Sequence, residues 1–143
     1  MRLLVDSTVW IDFFHGKETI QTEKLSQSIQ NRDDLCICGF ILTEVLQGIR
    51  EEKEHMAVKQ QFDNLIYLEA SRSTFELGAS IYRELRRKGS TIRNSMDCLI
   101  ASIVLQHGVF FLETTAIFIL LTNIIHSTEF DLTSVRRCDN AVN

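Results

Sequence analysis

Short apolar runs alternate with longer amphipathic segments along this chain. The apolar runs, each typical of a buried strand, lie at residues 3–5, 35–38, 65–68 and 109–112. The segments between them carry apolar residues at helical spacing and predict helices over residues 9–14, 18–31, 40–50, 52–64, 74–87 and 96–106. Strands that alternate with helices predict an α/β fold whose parallel sheet is covered on both faces. Such sheets bind ligands beyond the carboxyl ends of their strands, where the strand order reverses.

The composition is that of an ordinary globular protein, and we expect residues 1–143 to form a single domain. Hydrophobic residues make up 45% and charged residues 24%, and the formal net charge is −4. This balance argues against a disordered chain and against nucleic-acid binding through overall positive charge. Asp6 interrupts the apolar start too early for a signal peptide, and Glu113 lies within the weakly charged stretch 103–125. We therefore expect a cytoplasmic protein without a membrane span.

Three acidic residues stand where a parallel sheet would bring them together. Asp6 closes the first predicted strand, Glu44 lies in the helix after the second, and Asp97 lies in the first turn of the helix before the fourth. Hard oxygen ligands suit Mg²⁺ or Mn²⁺, and the field at a helix N-terminus favours an ionised Asp97. Each acid also has a structural interpretation, because Asp6 and Asp97 can cap helices and Glu44 can be a surface residue.

The sequence around these acids resembles three motifs of the PIN-domain ribonucleases, and it is most similar to the VapC toxins of bacterial toxin–antitoxin pairs. The motifs read LLVDSTVWIDFF at residues 3–14, LTEVLQG at 42–48 and TIRNSMDCLIA at 91–101. Their order and spacing also fit the family, over about residues 1–112. Three motifs in order are far more specific than any single acid.

The resemblance implies a PIN-like three-layer α/β/α fold and endonucleolytic cleavage of RNA, with transfer RNA as a family-level expectation. It assigns catalysis and the binding of Mg²⁺ or Mn²⁺ to Asp6, Glu44 and Asp97. Such a metal activates a bound water and neutralises charge on a phosphodiester. The resemblance further implies a cognate VapB-type antitoxin that blocks the site, and a homodimer.

The fourth acidic motif of the family, N-D-x-D-F, is missing, so the C-terminal part is atypical. Direct alignment with LETTAIF at residues 112–118 places Thr115 and Ile117 where the family has aspartates. Glu113 is a candidate substitute, although it comes two residues early and is expected to face elsewhere. Codons for residues 113–118 permit Asn-Asp-Ser-Asp-Phe when they are read from the third base of the Glu codon. We hypothesise that the chain from about residue 111 onward is frameshifted relative to its family.

Alternatives to an active ribonuclease follow from the same residues. A catalytically impaired PIN domain, which lacks the fourth acid and mainly binds its antitoxin, is the main one. A phosphoacceptor domain would also place an Asp after the first strand, but the chain lacks the adjacent acidic pair and a Lys partner. Dinucleotide binding is excluded because no G-x-G-x-x-G follows the first strand.

Basic and sulfur-containing residues leave two further interpretations. The basic cluster before Asp97 suits either an RNA backbone or a solvated helix face, and its members are Arg83, Arg86, Arg87, Lys88 and Arg93. The cysteines lack C-x-x-C spacing, so we interpret them as small buried hydrophobes: Cys36, Cys38, Cys98 and Cys138.

Overall fold

The secondary structure confirms the predicted alternation of strands and helices. The computed structural model describes residues 1–91 and 94–114. Four strands lie in this part of the chain: β1 (Arg2–Val5), β2 (Asp34–Cys38), β3 (Ile66–Leu68) and β4 (Phe110–Leu112). Its six helices are α1 (Ser7–Phe14), α2 (Ile20–Gln30), α3 (Gly39–Gln47), α4 (Glu52–Phe62), α5 (Arg72–Arg87) and α6 (Ser95–His107). The atypical C-terminal part beyond residue 114, with Thr115 and Ile117, lies outside the described residues.

The four strands form one parallel sheet in the order β3-β2-β1-β4. Leu4 of β1 pairs with Cys36 of β2 on one side and with Phe111 of β4 on the other. The chain runs outward from β1 through β2 to β3 and then crosses to the far side of β1. The strand order therefore reverses between β1 and β4, where such sheets bind ligands at the carboxyl edge.

Helices pack in two groups, as the three-layer α/β/α prediction requires. Helices α1 to α4 contact one another, and α5 contacts α6. Right-handed crossovers account for this grouping, because the chain changes direction after β3 and the two groups then cover opposite faces of the sheet. Leu3, Leu4 and Val5 are each no more than 1% exposed, as expected for a central strand covered on both faces. No helix in the described residues is long and apolar enough to cross a membrane.

The first helix begins two residues before its predicted start at residue 9. Ser7 and Thr8 are helical, and Asp6 is the cap, as one of the two interpretations of this residue predicted. The Asp6 backbone is extended (φ −64°, ψ 151°), and its carboxylate accepts a hydrogen bond from the Thr8 backbone N–H at 3.4 Å. The prediction was wrong because β1 ends at Val5, which leaves Asp6 alone between strand and helix.

Other helix ends also differ by a few residues from the pattern-based bounds, as helix termini commonly do. Helix α2 begins at Ile20 because Thr19 caps it. Helix α3 ends at Gln47, before its predicted end at residue 50. Helix α5 begins at Arg72 rather than at residue 74, because the Ser71 backbone N–H donates to the Thr74 hydroxyl at 3.0 Å and so organises an earlier first turn.

Both ends of α6 are fixed by capping residues. The Asn94 side chain accepts a hydrogen bond from the Met96 N–H at 3.0 Å and caps the helix. At the other end Gly108 adopts a left-handed conformation (φ 59°), which glycine tolerates without a Cβ penalty. These two caps set the register of α6 and hold Asp97 in its first turn.

Candidate active site

Asp6 lies at the carboxyl edge of the sheet, between the central strand and the helix that follows. Its backbone N–H donates to the Leu112 carbonyl at 2.9 Å, which joins it to the end of β4. Burial raises the pKa of the half-buried Asp6 carboxyl; hydrogen bonds from Thr8 and from the Ser7 backbone lower it in part, and the nearby Glu44 carboxylate raises it further. The carboxylate is therefore held where its charge is disfavoured.

Glu44 projects from α3 toward the start of α1. The Ser7 hydroxyl donates a hydrogen bond to Glu44 Oε2 at 2.8 Å. This contact joins the first residue of α1, which directly follows Asp6, to α3. Ser7 is buried, at 9% exposed, so the hydroxyl has a fixed partner. Sequence reasoning did not identify Ser7 as a residue that contacts Glu44. Its one available signal was its place directly after Asp6, because a parallel sheet brings that position near the helix that follows β2.

Asp97 brings a third carboxylate to the same edge from the opposite face of the sheet. Burial raises the pKa of the half-buried Asp97 carboxyl, and the negative charges of Asp6 and then Glu44 raise it further. Coulombic influence of this kind requires proximity, so the fold brings together the three acids that lie far apart in sequence. The cluster of Asp6, Glu44 and Asp97 is called the acid cluster below.

Glu113 directly follows β4, the strand beside β1. Val5 and Leu112 are paired in register, so the next residue of each strand is Asp6 on one side and Glu113 on the other. The backbone of Glu113 is thus adjacent to the acid cluster, and its side chain is partly buried. The two positions at which the family carries aspartates, 115 and 117, lie outside the described residues.

The acid cluster fits a divalent cation in some respects and not in others. Its donors are hard carboxylate oxygens, which suit Mg²⁺ or Mn²⁺, and a bound cation would relieve their mutual repulsion. In the described part of the chain, however, no three His, Cys, Asp or Glu side chains are positioned to hold a metal ion together. The residues therefore have the chemistry of a cation site without forming a coordination shell.

The cysteines near the site behave as the sequence predicts. Cys36, Cys38 and Cys98 are buried and unpaired, at no more than 2% exposed. Burial raises the pKa of the Cys98 thiol to about 11, with a further contribution from the Asp97 charge. These thiols stay protonated at neutral pH and act as small core residues rather than as nucleophiles or metal ligands. Cys138 lies outside the described residues.

Comparisons with known proteins identify the family to which this architecture belongs. A family model described as PIN domain matches residues 3–115. Ribonuclease VapC11 of Mycobacterium tuberculosis and VapC ribonuclease Mb1587 of Mycobacterium bovis are each 27% identical to this chain over 124 residues, which cover 85% of this chain and 92% of the relative.

Solved structures share the fold at lower sequence identity. VapBC-1 from nontypeable Haemophilus influenzae matches with a TM-score of 0.67 and 19% identity over 86% of this chain and 94% of that one. VapBC2 from Rickettsia felis, bound to a DNA fragment from its promoter, matches with a TM-score of 0.63 and 17% identity over 78% of this chain and 85% of that one. With a family model that spans most of its length and a fold shared with these structures, the chain belongs to the PIN domain family.

Proposed function

We propose that this protein is the ribonuclease toxin of a VapBC-type toxin–antitoxin pair and hydrolyses RNA phosphodiesters with the help of a divalent cation. The observation that carries the proposal is the acid cluster, in which Asp6, Glu44 and Asp97 share one edge of the sheet. Burial raises the pKa of Asp6 and of Asp97, and the negative charge of neighbouring carboxylates raises both further. The similarity to VapC ribonucleases supports RNA as the substrate. Transfer RNA is the target class we propose to test first.

The roles of the residues follow from their positions. Asp6, Glu44 and Asp97 would hold Mg²⁺ or Mn²⁺, which supplies an acidified water and neutralises charge on the phosphodiester. The resemblance to PIN-domain ribonucleases implies dependence on such a divalent cation. Ser7 fixes one oxygen of Glu44 by its hydrogen bond and so orients that carboxylate. Glu44 or Asp97 orients the attacking water, and Glu113 is a candidate fourth carboxylate beside Asp6.

The partner we propose is a VapB-type antitoxin that covers the acid cluster. The similar solved structures are of VapBC assemblies and of FitAcB from Neisseria gonorrhoeae, and they supply the support for this partner. We also propose that the toxin acts in the cytoplasm as a homodimer.

Cleavage of purified total tRNA tests the proposed activity. The unsubstituted chain should cleave in Mg²⁺ or Mn²⁺, and cleavage should stop with EDTA. In Asp97→Asn the cleavage rate should fall about a hundred- to a thousandfold, as expected for the loss of one group that stabilises the transition state. Asp34→Asn is the matched control, because it removes an exposed carboxylate from the amino edge of the sheet. Equal cleavage by the two variants would contradict the assignment of Asp97.

A second candidate function is an impaired PIN domain that captures its antitoxin without cleaving RNA. The observation that favours it is Thr115 and Ile117 at the positions of the family's fourth acidic motif. A chain that is folded, binds the antitoxin and does not cleave tRNA would support this function. A version with the acidic motif restored, assayed beside it, separates lost catalysis from a narrower RNA target. Nucleotide sequencing across codons 105–125 tests the frameshift hypothesis, which fails if no other frame can encode that motif.

A further inference from the structure

Helices α5 and α6 form an antiparallel pair that places the C-terminal half of α5 beside the first turn of α6, the turn in which Asp97 lies. At one end of the pair, the Thr74 hydroxyl donates to Gln106 Oε1 at 2.6 Å. In the middle, Gly78 permits close approach, because a Cβ there would lie 2.6 Å from Leu99 Cδ2. At the other end, Arg83 and Arg86 line a cavity together with Ser95, two residues before Asp97.

Positive charge is concentrated at this end of α5. The exposed residues Arg83, Arg86, Arg87 and Lys88 form what we call the basic surface. Arg93, the fifth member of the predicted basic cluster, lies outside the described residues. Glu84 is the carboxylate among them, and it pairs with Arg87 and, at 3.7 Å, with Lys88. Arg83 and Arg86 form no ion pair with a carboxylate in the described part of the chain. Their charge is therefore available to a ligand, in a protein whose formal net charge is −4.

A cavity of about 430 Å³ opens on the basic surface. It is lined by Ser80, Arg83, Glu84, Arg86 and Arg87. The Arg86 guanidinium lies over the Tyr82 ring, 5.8 Å from its centroid, a contact that favours one orientation of the side chain. Guanidinium groups donate paired hydrogen bonds that match the geometry of phosphate oxygens. The charge and the donors both fit a phosphate group.

We propose that the basic surface binds the phosphate backbone of RNA next to the acid cluster, with Arg83 and Arg86 as the principal contacts. This inference rests on the proposed ribonuclease function and names the surface that brings the substrate to it. An acidic site in an acidic protein repels a polyanion, so local cations are needed to bind RNA there. Of the two interpretations of the basic cluster, we adopt RNA binding rather than a solvated face. Arg83 and Arg86, which form no ion pair within the described residues, line a cavity with Ser95 in the first turn of the helix that carries Asp97.

RNA binding by a chain that cannot cleave tests this surface independently of catalysis. The probe is a fluorescein-labelled single-stranded RNA oligonucleotide of mixed sequence, titrated by anisotropy with protein carrying Asp97→Asn. Adding Arg83→Gln and Arg86→Gln should weaken binding roughly tenfold at low salt and make the slope of log K against log salt shallower by about 1.4, since each lost phosphate contact on a single strand contributes about 0.7. The matched control adds Lys53→Gln and Arg72→Gln, which remove the same charge elsewhere and should leave the affinity and the slope close to those of the parent.

The outcomes separate this inference from the proposed function. Equal weakening by the two pairs of substitutions, no weakening by Arg83→Gln with Arg86→Gln, or no binding of the probe by the parent would each overturn it. If Arg83→Gln with Arg86→Gln kept its affinity for RNA but no longer captured the antitoxin, the basic surface would belong to the protein partner, and the inference would also be overturned. In the cleaving chain, the arginine pair should raise KM for tRNA about tenfold and leave kcat within about twofold, as expected for loss of uniform binding. Failure of cleavage alone would count against the ribonuclease and leave the binding result standing.

Discussion

The body of β1 and the residue directly after it make opposite contributions to the protein. Leu3, Leu4 and Val5 are buried on both faces of the sheet and stabilise the fold by removing apolar surface from water. Asp6, one position further, is held partly buried beside Glu44, and these surroundings raise its pKa and so disfavour its charge. The strand thus supplies stability along its length, and at its end it holds a carboxylate whose charge is disfavoured, as is common where a rigid element positions a reactive site.

The largest effect is expected in the body of the strand. Leu4→Ala should lower the free energy of unfolding by about 2–5 kcal/mol, because it leaves a cavity at a fully buried position of the central strand. Ile20→Ala, at a residue that is 70% exposed, is the control and should change stability by less than about 1 kcal/mol. Urea unfolding followed by circular dichroism measures both. A small loss in Leu4→Ala would mean that β1 is less central to the core than its burial indicates.

Divalent cations should stabilise the protein through the acid cluster at the carboxyl end of β1 and not through the buried body of the strand. At a concentration about tenfold above its Kd, Mg²⁺ or Mn²⁺ should raise the free energy of unfolding by about 1.4 kcal/mol, because it binds the folded acid cluster and not the unfolded chain. Asp6→Asn with Asp97→Asn should abolish this gain, whereas Asp34→Asn should keep it. Thermal melts with EDTA and with added metal provide the comparison. An equal gain in all three proteins would place the cation elsewhere.

Removing a charge from the edge should stabilise the protein, and the gain should depend on pH. Because the folded-state pKa of Asp97 is raised, the native state binds its proton more tightly than the unfolded state. Stability is therefore lost as the pH rises from about 4 through the folded-state pKa. Asp97→Asn avoids this loss. Its free energy of unfolding should therefore exceed that of the parent only slightly near pH 4 and by the full amount at neutral pH. Urea unfolding in EDTA measures the difference. A rise of the same size in Asp34→Asn would indicate general charge reduction instead.

The smallest effect is expected at the contact that orients Glu44. Ser7→Ala removes the 2.8 Å hydrogen bond to Glu44 Oε2 and should lower the cleavage rate about two- to tenfold, the range that corresponds to a net hydrogen bond of about 0.5–1.5 kcal/mol. Ser26→Ala is the matched control, because that hydroxyl donates to the Thr22 carbonyl away from the acid cluster. Single-turnover cleavage of tRNA gives the rates. Unchanged cleavage in Ser7→Ala would show that Glu44 is oriented without Ser7.

Much of the fold could be predicted from periodicity, whereas the helix ends and the site contacts could not. Apolar runs identified the four strands because a strand covered on both faces needs apolar side chains throughout. The predicted start of α1 was wrong because Asp6, Ser7 and Thr8 are all good capping residues, and the sequence alone does not show at which residue β1 ends. The hydrogen bond between Ser7 and Glu44 was missed because it joins residues 37 positions apart.

The sequence by itself determined the alternation of elements, the three motifs of the PIN domain and the acids within them. These are local properties, since periodicity, caps and motif letters are all read within a few turns of chain. Only the tertiary structure decided that Glu44 lies close enough to Asp6 and Asp97 for its charge to raise their pKa, and that Arg83 and Arg86 lie beside the helix that carries Asp97. Whether distant residues lie close together depends on strand order and helix packing. The strand order reverses between β1 and β4, so residues from helices on both faces of the sheet meet at the carboxyl edge of β1.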